Sequence, residues 1–157
     1  MNFSVLHLCE ADGGGGAMQA AYKLHRSLRA IGLESQMLVG QKTTTDFDVV
    51  EMTCRRDVFS RTRRRYVAWR NARSIQKYSG GKASGYGGFT VAAGHLGAEF
   101  SAQLPSADVV NLHWMSHTLD IERLFESIPP RAPLVWRLPD MNAMTGGCHY
   151  SGHCERF

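Results

Sequence analysis

The chain has 157 residues and a formal net charge of +4 at pH 7, which is enough for one ordinary domain with a buried core. No stretch reaches the ~20 apolar residues of a transmembrane helix, and no basic region followed by a long apolar run marks a secretory signal. We therefore expect a single cytoplasmic domain. Its four cysteines, Cys9, Cys54, Cys148 and Cys154, are then thiols or metal ligands rather than a disulfide framework.

The N-terminal 33 residues predict a strand, a glycine turn and a helix in that order. Residues 3–8 form a short apolar strand, and apolar residues recur at helical spacing from residue 17 to residue 31. Between them, Gly14, Gly15 and Gly16 end a run of four glycines. Such a turn aims backbone N–H groups and a helix N-terminus at an anion, most often phosphate. The alternative is a turn that needs glycine only for its backbone conformation.

Two well-known phosphate motifs do not fit this turn. A dinucleotide fingerprint needs a third glycine three residues further on, and a P-loop needs Gly-Lys-Ser/Thr where Gly16-Ala17-Met18 stands. A phosphate-binding turn of another kind remains.

Further strands are predicted at residues 35–39, 47–52, 107–114 and 134–138, and helices at 57–77, about 96–104 and 121–127. Residues 79–88 read as a glycine-rich loop, and residues 139–157 show no periodicity. Strands that alternate with helices predict an α/β fold, here a Rossmann-like, doubly wound parallel sheet of five strands. Because ligands bind beyond the carboxyl ends of such strands, we expect the glycine turn, His113 and Asp140 at one rim.

The predicted helix at 57–77 carries most of the positive charge. Nine cations lie between Arg55 and Lys77, against the single acid Asp57. Phe59, Thr62, Tyr66 and Trp69 share one face at helical spacing. This face either packs on the sheet or lies on an anionic membrane surface, with the aromatic rings at headgroup level. No nucleic-acid motif accompanies the arginines, so nucleic acid is not the expected partner.

A few polar residues could carry chemistry. His113 ends a strand and could accept a proton or hydrogen bond a hydroxyl or phosphate; the alternative is a packed histidine. His117 follows it as a weaker candidate. Asp140 directly follows the next strand and could act as a base or hold a sugar hydroxyl, or it could cap its own turn. Glu10 and Asp12 flank the glycines and could face the same crevice.

The C-terminal end groups several possible metal ligands. Cys148, His149, His153 and Cys154 lie within seven residues. Zinc sites usually combine ligands from two separate places, and no second cluster follows here. We therefore expect no complete metal site, with Cys148 and Cys154 as part of an incomplete one.

Four ordered blocks of sequence stand out. They are Leu-His-Leu (6–8) with Gly-Gly-Gly-Ala (14–17) and Ala-Ala-Tyr-Lys-Leu-His (20–25), Asp-Val-Val-Asn-Leu-His-Trp (108–114), Val-Trp-Arg-Leu-Pro-Asp-Met (135–141), and Thr-Gly-Gly-Cys-His-Tyr-Ser (145–151) with Cys-Glu-Arg (154–156). Together they resemble the N-terminal domain of bacterial family 4 glycosyltransferases of the GT-B fold.

This resemblance implies a retaining transferase that moves a sugar from a nucleotide-sugar donor to a glycan or lipid-linked acceptor, without a further cofactor. Gly14, Gly15 and Gly16 would lie by the donor diphosphate, His113 would contact the transferred sugar, and Asp140 would line the acceptor side. Residues 1–157 would form one Rossmann-like domain, with the nucleotide-sugar domain absent.

Asn142 and Met144 stand where relatives of that family usually carry aromatic residues. We expect a fragment that does not turn over alone, because transfer needs donor and acceptor held in one closed cleft. Two alternatives remain open: a non-catalytic half that pairs with a separate chain, and a basic domain on the inner face of a membrane.

Overall fold

A parallel sheet of five strands forms the centre of the computed structural model, which describes residues 3–53, 58–79, 89–90, 94, 98–115, 118–130 and 132–151. The strands are β1 (Ser4–Ala11), β2 (Glu34–Gln41), β3 (Val49–Glu51), β4 (Val109–Leu112) and β5 (Leu134–Trp136). Their order in the sheet is β3-β2-β1-β4-β5, and every pair is parallel. The prediction of a five-stranded, Rossmann-like α/β fold is therefore confirmed.

Four α-helices and one 3-10 helix surround the sheet in the described part of the chain. The α-helices are α1 (Gly16–Ala30), α2 (Val58–Ser79), α3 (Ile121–Ser127) and α4 (Asn142–Thr145), and the 3-10 helix spans Ala98–Gln103. Helix α1 ends one residue earlier than predicted, before Gly32, whose φ of 87° stops the helix. Helix α4 was not predicted, since four residues are too few to show a helical period.

Several elements of the structure differ from the predicted ones in length or in type. The strand predicted at residues 107–114 is shorter at both ends, since β4 spans only Val109–Leu112. The helix predicted near residues 96–104 is the 3-10 helix. Most of the predicted glycine-rich loop, residues 80–88, lies outside the described residues.

Helices cover both faces of the sheet. On one face, Leu6 and Leu8 of β1 pack with Phe100 of the 3-10 helix and Leu124 of α3 in the larger hydrophobic cluster. On the other face, Cys9 of β1 packs with Met37, Val39 and Ala21 of α1. Because side chains alternate along a strand, His7 lies on the same face as Cys9, beneath α1.

The strand order reverses at the centre of the sheet. The chain goes outward from β1 to β2 and β3, and then returns to place β4 on the other side of β1. In doubly wound sheets the ligand crevice lies at this reversal, beyond the carboxyl ends of the two strands. The glycine turn follows β1 and His113 follows β4, so both lie at this position.

Candidate functional site

A crevice of about 210 Å³ opens beyond the carboxyl ends of β4 and β5. Its lining combines aromatic and apolar side chains with a few polar groups: Thr90, His113, Trp114, Met115, Ile121, Trp136, Leu138, Pro139, Asp140, Asn142, Ala143, Gly146 and Gly147. The volume is below the ~300–1,000 Å³ of pockets that enclose a drug-sized ligand. It therefore suits a single small ring. The structure brings His113 and Asp140 together here.

His113 borders the crevice from within the protein. Its side chain is 2 % exposed, and its Nε2 lies 3.0 Å from Nδ1 of His7 in a buried hydrogen bond. The two rings stack with their centroids 5.2 Å apart. Nδ1 of His113 has no hydrogen-bond partner among the described residues. The bond to His7 thus uses Nε2 and leaves Nδ1 as the ring nitrogen without a hydrogen-bond partner in the described part of the chain.

Both histidines are neutral at physiological pH. Burial and the nearby charge of Arg137 lower the pKa of His113 to about 4. Burial, followed by His113 and His25, lowers the pKa of His7 to about 3. A neutral imidazole offers a hydrogen bond without a charge, so this site favours a hydroxyl group over a phosphate.

A third buried histidine, His25 of α1, lies next to this pair. The ring centroid of His25 lies 6.0 Å from that of His7, and its Nδ1 is 2.8 Å from the Oγ of Ser35. Burial lowers the pKa of His25 although the Asp46 carboxylate nearby opposes the shift. We call His7, His25 and His113 the histidine cluster. Its members come from β1, from α1 and from the end of β4.

Asp140 forms a second polar edge of the crevice. Its Oδ2 lies 3.2 Å from Nδ1 of His149, and its Oδ1 accepts a hydrogen bond from the backbone N–H of Asn142 at 3.0 Å. Nε2 of His149 is 3.2 Å from the Oγ1 of Thr90. Asp140 thus caps its own turn, as one of the two sequence interpretations expects. It also orients His149, and it still lines the crevice.

Asn142 connects two other residues that line the crevice, Thr90 and Gly147, and we call these three residues the outer wall. Its Nδ2 donates to the Oγ1 of Thr90 and, at 3.1 Å, to the carbonyl oxygen of Gly147. The backbone N–H of Thr90 donates to the same Gly147 carbonyl at 2.9 Å. Gly147 has a φ of 138°, and a Cβ there would come within 2.6 Å of the Phe89 ring. Only glycine fits this contact.

The glycine turn lies at the same edge of the sheet but does not line the crevice. It follows β1, whose Glu10 donates its backbone N–H to the carbonyl of Trp114 at 2.8 Å. Gly14 has a φ of 97°, and Gly15 caps α1 without a side-chain hydrogen bond. The first turn of α1 holds no acidic residue. These N–H groups therefore remain suited to an anion.

Asp12 anchors this turn instead of facing a ligand. Its carboxylate accepts hydrogen bonds from the backbone N–H and the hydroxyl of both Thr43 and Thr44, at 2.5–2.9 Å. Burial raises the pKa of Asp12, but these bonds outweigh it and lower the pKa to about 2. The possibility that Asp12 faces the crevice is thus wrong, because both of its oxygens are bonded to the β2–β3 loop.

The cysteines form no metal site in the described part of the chain. Cys148 is a half-buried cysteine, and Cys9 is a buried one whose thiol pKa is raised by burial to about 11. No group of three or more His, Cys, Asp or Glu side chains there could hold a metal ion. Cys54, Cys154, His117 and His153 lie outside the described residues, so the predicted incomplete cysteine site is not tested.

Sequence reasoning missed several residues of the site. His7 interrupts an apolar strand, and a polar residue at a buried strand position is a signal that could have identified it. Trp136 was assigned only to a strand. Thr90 and Asn142 gave no local signal, because their contact joins positions 52 residues apart.

Comparisons with protein-family models, curated proteins and solved structures find no match to this chain. The fold defines a Rossmann-like α/β domain with a crevice beyond the carboxyl ends of β4 and β5. The glycosyltransferase family stays a prediction from the sequence blocks.

Proposed function

We propose that this domain belongs to a glycosyltransferase, which moves a sugar from a nucleotide-sugar donor to a glycan or lipid-linked acceptor. We further propose that its crevice holds a sugar ring. One observation carries the proposal: His113, whose buried Nδ1 has no partner among the described residues, lines a ring-sized crevice together with Trp136 and Asp140.

The chemistry of the lining supports a sugar over other small ligands. A pyranose ring presents apolar C–H faces and a rim of hydroxyl groups. The indole of Trp136, 38 % exposed, offers a flat apolar surface for such a face. His113 and the Asp140 carboxylate lie where hydroxyl groups would need partners. An apolar wall with a few polar groups is typical of small-molecule sites.

The glycine turn supports the donor side of the same proposal. It follows β1, the strand next to β4, and strands in a sheet lie ~4.8 Å apart. A diphosphate at Gly14, Gly15 and Gly16 would accept hydrogen bonds from the uncapped N–H groups of α1.

Sugar transfer then breaks the bond between the anomeric carbon and the diphosphate, which is the leaving group. A bond forms between that carbon and the oxygen of an acceptor hydroxyl, and the proton of that hydroxyl is released.

Ligand-observed NMR on the 157-residue chain tests the proposal. Glucose, galactose, mannose and N-acetylglucosamine are the probes, and sorbitol serves as a control that has hydroxyl groups but no ring. We expect saturation transfer to the ring protons of at least one sugar. The transfer should disappear in Trp136→Ala and His113→Gln.

Matched variants separate a local effect from general damage. Trp69→Ala removes an exposed tryptophan of α2, and His25→Gln changes a buried histidine outside the crevice lining; both should keep the saturation transfer. Transfer to none of the four sugars would overturn the proposal. So would transfer that survives both crevice substitutions.

A further inference from the structure

Helix α2 presents an exposed aromatic face. Phe59, Tyr66 and Trp69 are 79 %, 58 % and 55 % exposed, although large aromatic side chains normally bury their rings. Val67 on the other side of the helix is buried. The segment was expected either to pack its aromatic face on the sheet or to present it to a membrane surface. The first expectation is wrong, because the aromatic face is exposed and the buried Val67 lies on the other side of the helix.

These aromatic residues of α2 lie along one side of the helix. Phe59, Tyr66 and Arg73 follow each other at seven-residue intervals, which places them on one side of a helix. The ring centroids of Tyr66 and Trp69 lie 6.0 Å apart. The Arg73 guanidinium lies over the Trp69 ring at 5.4 Å, in a cation–π contact. We call Phe59, Tyr66, Trp69 and Arg73 the aromatic strip.

Positive charge surrounds this strip without an opposing acid in the helix. The 22 residues of α2 include no Asp or Glu and carry seven cations: Arg61, Arg63, Arg64, Arg65, Arg70, Arg73 and Lys77. Arg65 and Arg70 are exposed and flank the strip on its two sides. Such a field attracts a surface that carries many negative charges.

We propose that α2 attaches this domain to an anionic lipid surface, lying parallel to it with the aromatic strip at headgroup level. Each arginine near such a surface strengthens binding electrostatically, and tyrosine and tryptophan rings favour the boundary between water and hydrocarbon. None of the helices in the described residues has the length and apolar character needed to cross a bilayer. The contact is thus a surface attachment. The strip has only three aromatic residues, so charge supplies most of the binding and salt should weaken it.

Lipid explains the strip better than nucleic acid does. Phe59 and Val58, at the beginning of the same helix, are also exposed. Two large apolar side chains with no polar atom gain from contact with hydrocarbon, whereas nucleic-acid sites use aromatic rings mainly to stack on bases.

Vesicle flotation of the full chain tests this proposal. Phosphatidylcholine vesicles are compared with vesicles that contain about 30 mol % phosphatidylglycerol, at about 0.1 M and 0.5 M NaCl. We expect flotation with the anionic vesicles at low salt, little at high salt, and none with the neutral vesicles. Equal flotation with both vesicle types, or none with either, would overturn the proposal.

Surface variants locate the contact. Arg65→Gln/Arg70→Gln should weaken partitioning about 25-fold, about fivefold for each arginine, whereas the control Lys23→Gln/Arg123→Gln should have a clearly smaller effect. Trp69→Ser should reduce flotation, whereas Phe47→Ser, which changes a 97 % exposed aromatic residue in the β2–β3 loop, should not.

Two results would contradict the assignment to α2 and lipid. The first is vesicle binding unchanged in both α2 variants. The second is single-stranded RNA that binds more tightly than anionic vesicles at equal phosphate concentration and loses affinity in Arg65→Gln/Arg70→Gln. That result would assign the surface to nucleic acid instead.

Discussion

Nε2 of His113 lies 3.0 Å from Nδ1 of His7, and both side chains are almost fully buried. A polar side chain in a protein core costs free energy unless it is hydrogen bonded. This bond satisfies one nitrogen of each ring and fixes the orientation of His113. His113, which lines the crevice, is thereby held in one orientation, and such preorganisation favours ligand binding.

The histidine cluster makes the stability of the domain depend on pH. Folding lowers the pKa of His7 from 6.5 to about 3 and that of His113 from 6.5 to about 4. Below pH 6.5 the unfolded chain therefore binds protons that the folded chain does not. We expect the free energy of unfolding to fall as the pH falls from 6.5 toward 4, by up to about 1.4 kcal/mol per pH unit for each histidine.

Urea unfolding at several pH values between 7.5 and 4.5 measures this dependence. His7→Leu/His113→Leu removes both titrating groups, so its stability should fall less steeply over the same range, whatever its stability at pH 7.5. A wild-type chain of constant stability from pH 7.5 to 5 would contradict the buried, neutral state of these rings.

Asp12 should be important for the glycine turn. Asp12→Ala removes four hydrogen bonds and leaves donors of Thr43 and Thr44 without their acceptor. We expect a loss of about 2–4 kcal/mol in the free energy of unfolding. Asp120→Ala, which removes the side-chain cap of α3, is the matched control and should cost about 1 kcal/mol. If urea unfolding shows the same loss of unfolding free energy for both variants, the hydrogen bonds of Asp12 contribute no more than an ordinary helix cap.

Gly147 should not tolerate a side chain. Its φ of 138° and the 2.6 Å approach of a Cβ to Phe89 predict that Gly147→Ala is destabilising by about 1–3 kcal/mol. Gly16→Ala provides the comparison, because a Cβ there meets nothing within 4 Å at the start of α1. That substitution should be neutral or slightly stabilising. Thermal unfolding of both variants tests this prediction. A melting temperature of Gly147→Ala at or above that of Gly16→Ala would contradict the close packing of Gly147 against Phe89.

Asn142→Asp should open the outer wall of the crevice. The change keeps the shape of the side chain but replaces its Nδ2 donor by a carboxylate oxygen, which faces the oxygen atoms of Thr90 and Gly147 and cannot donate to them. We expect a loss of about 1–3 kcal/mol and faster hydrogen exchange at the Thr90 amide, which donates to Gly147. Unchanged exchange at Thr90 would mean that Asn142 does not hold this wall.

The sheet could be predicted from the sequence because local patterns encode it. The strands β1 and β4 are indicated by their apolar runs, and the ends of α1 are indicated by the glycines on either side of it. The face that α2 exposes was not predictable. An aromatic strip at helical spacing is the same pattern whether it packs on a sheet or faces solvent, and only the burial of Val67 decides between the two.

The site was predictable only in part, for a related reason. His113 and Asp140 follow strands, so their position at the carboxyl edge follows from the fold class. The partners that define their chemistry come from distant segments: His7 lies 106 residues from His113. Asp12 was misjudged because nothing near it in the sequence indicates that Thr43 and Thr44 would take both of its oxygens.

If His113 binds a sugar hydroxyl in the crevice, its ring nitrogens should report the binding directly. The ¹⁵N shifts of His113, measured at pH 7 in the histidine-labelled chain, should change at Nδ1 when glucose, galactose, mannose or N-acetylglucosamine is added. His25 should keep its shifts, and Trp136→Ala should abolish the change at His113. If none of the four sugars moves the Nδ1 shift of His113, or if His25 responds equally, the crevice is not the sugar site.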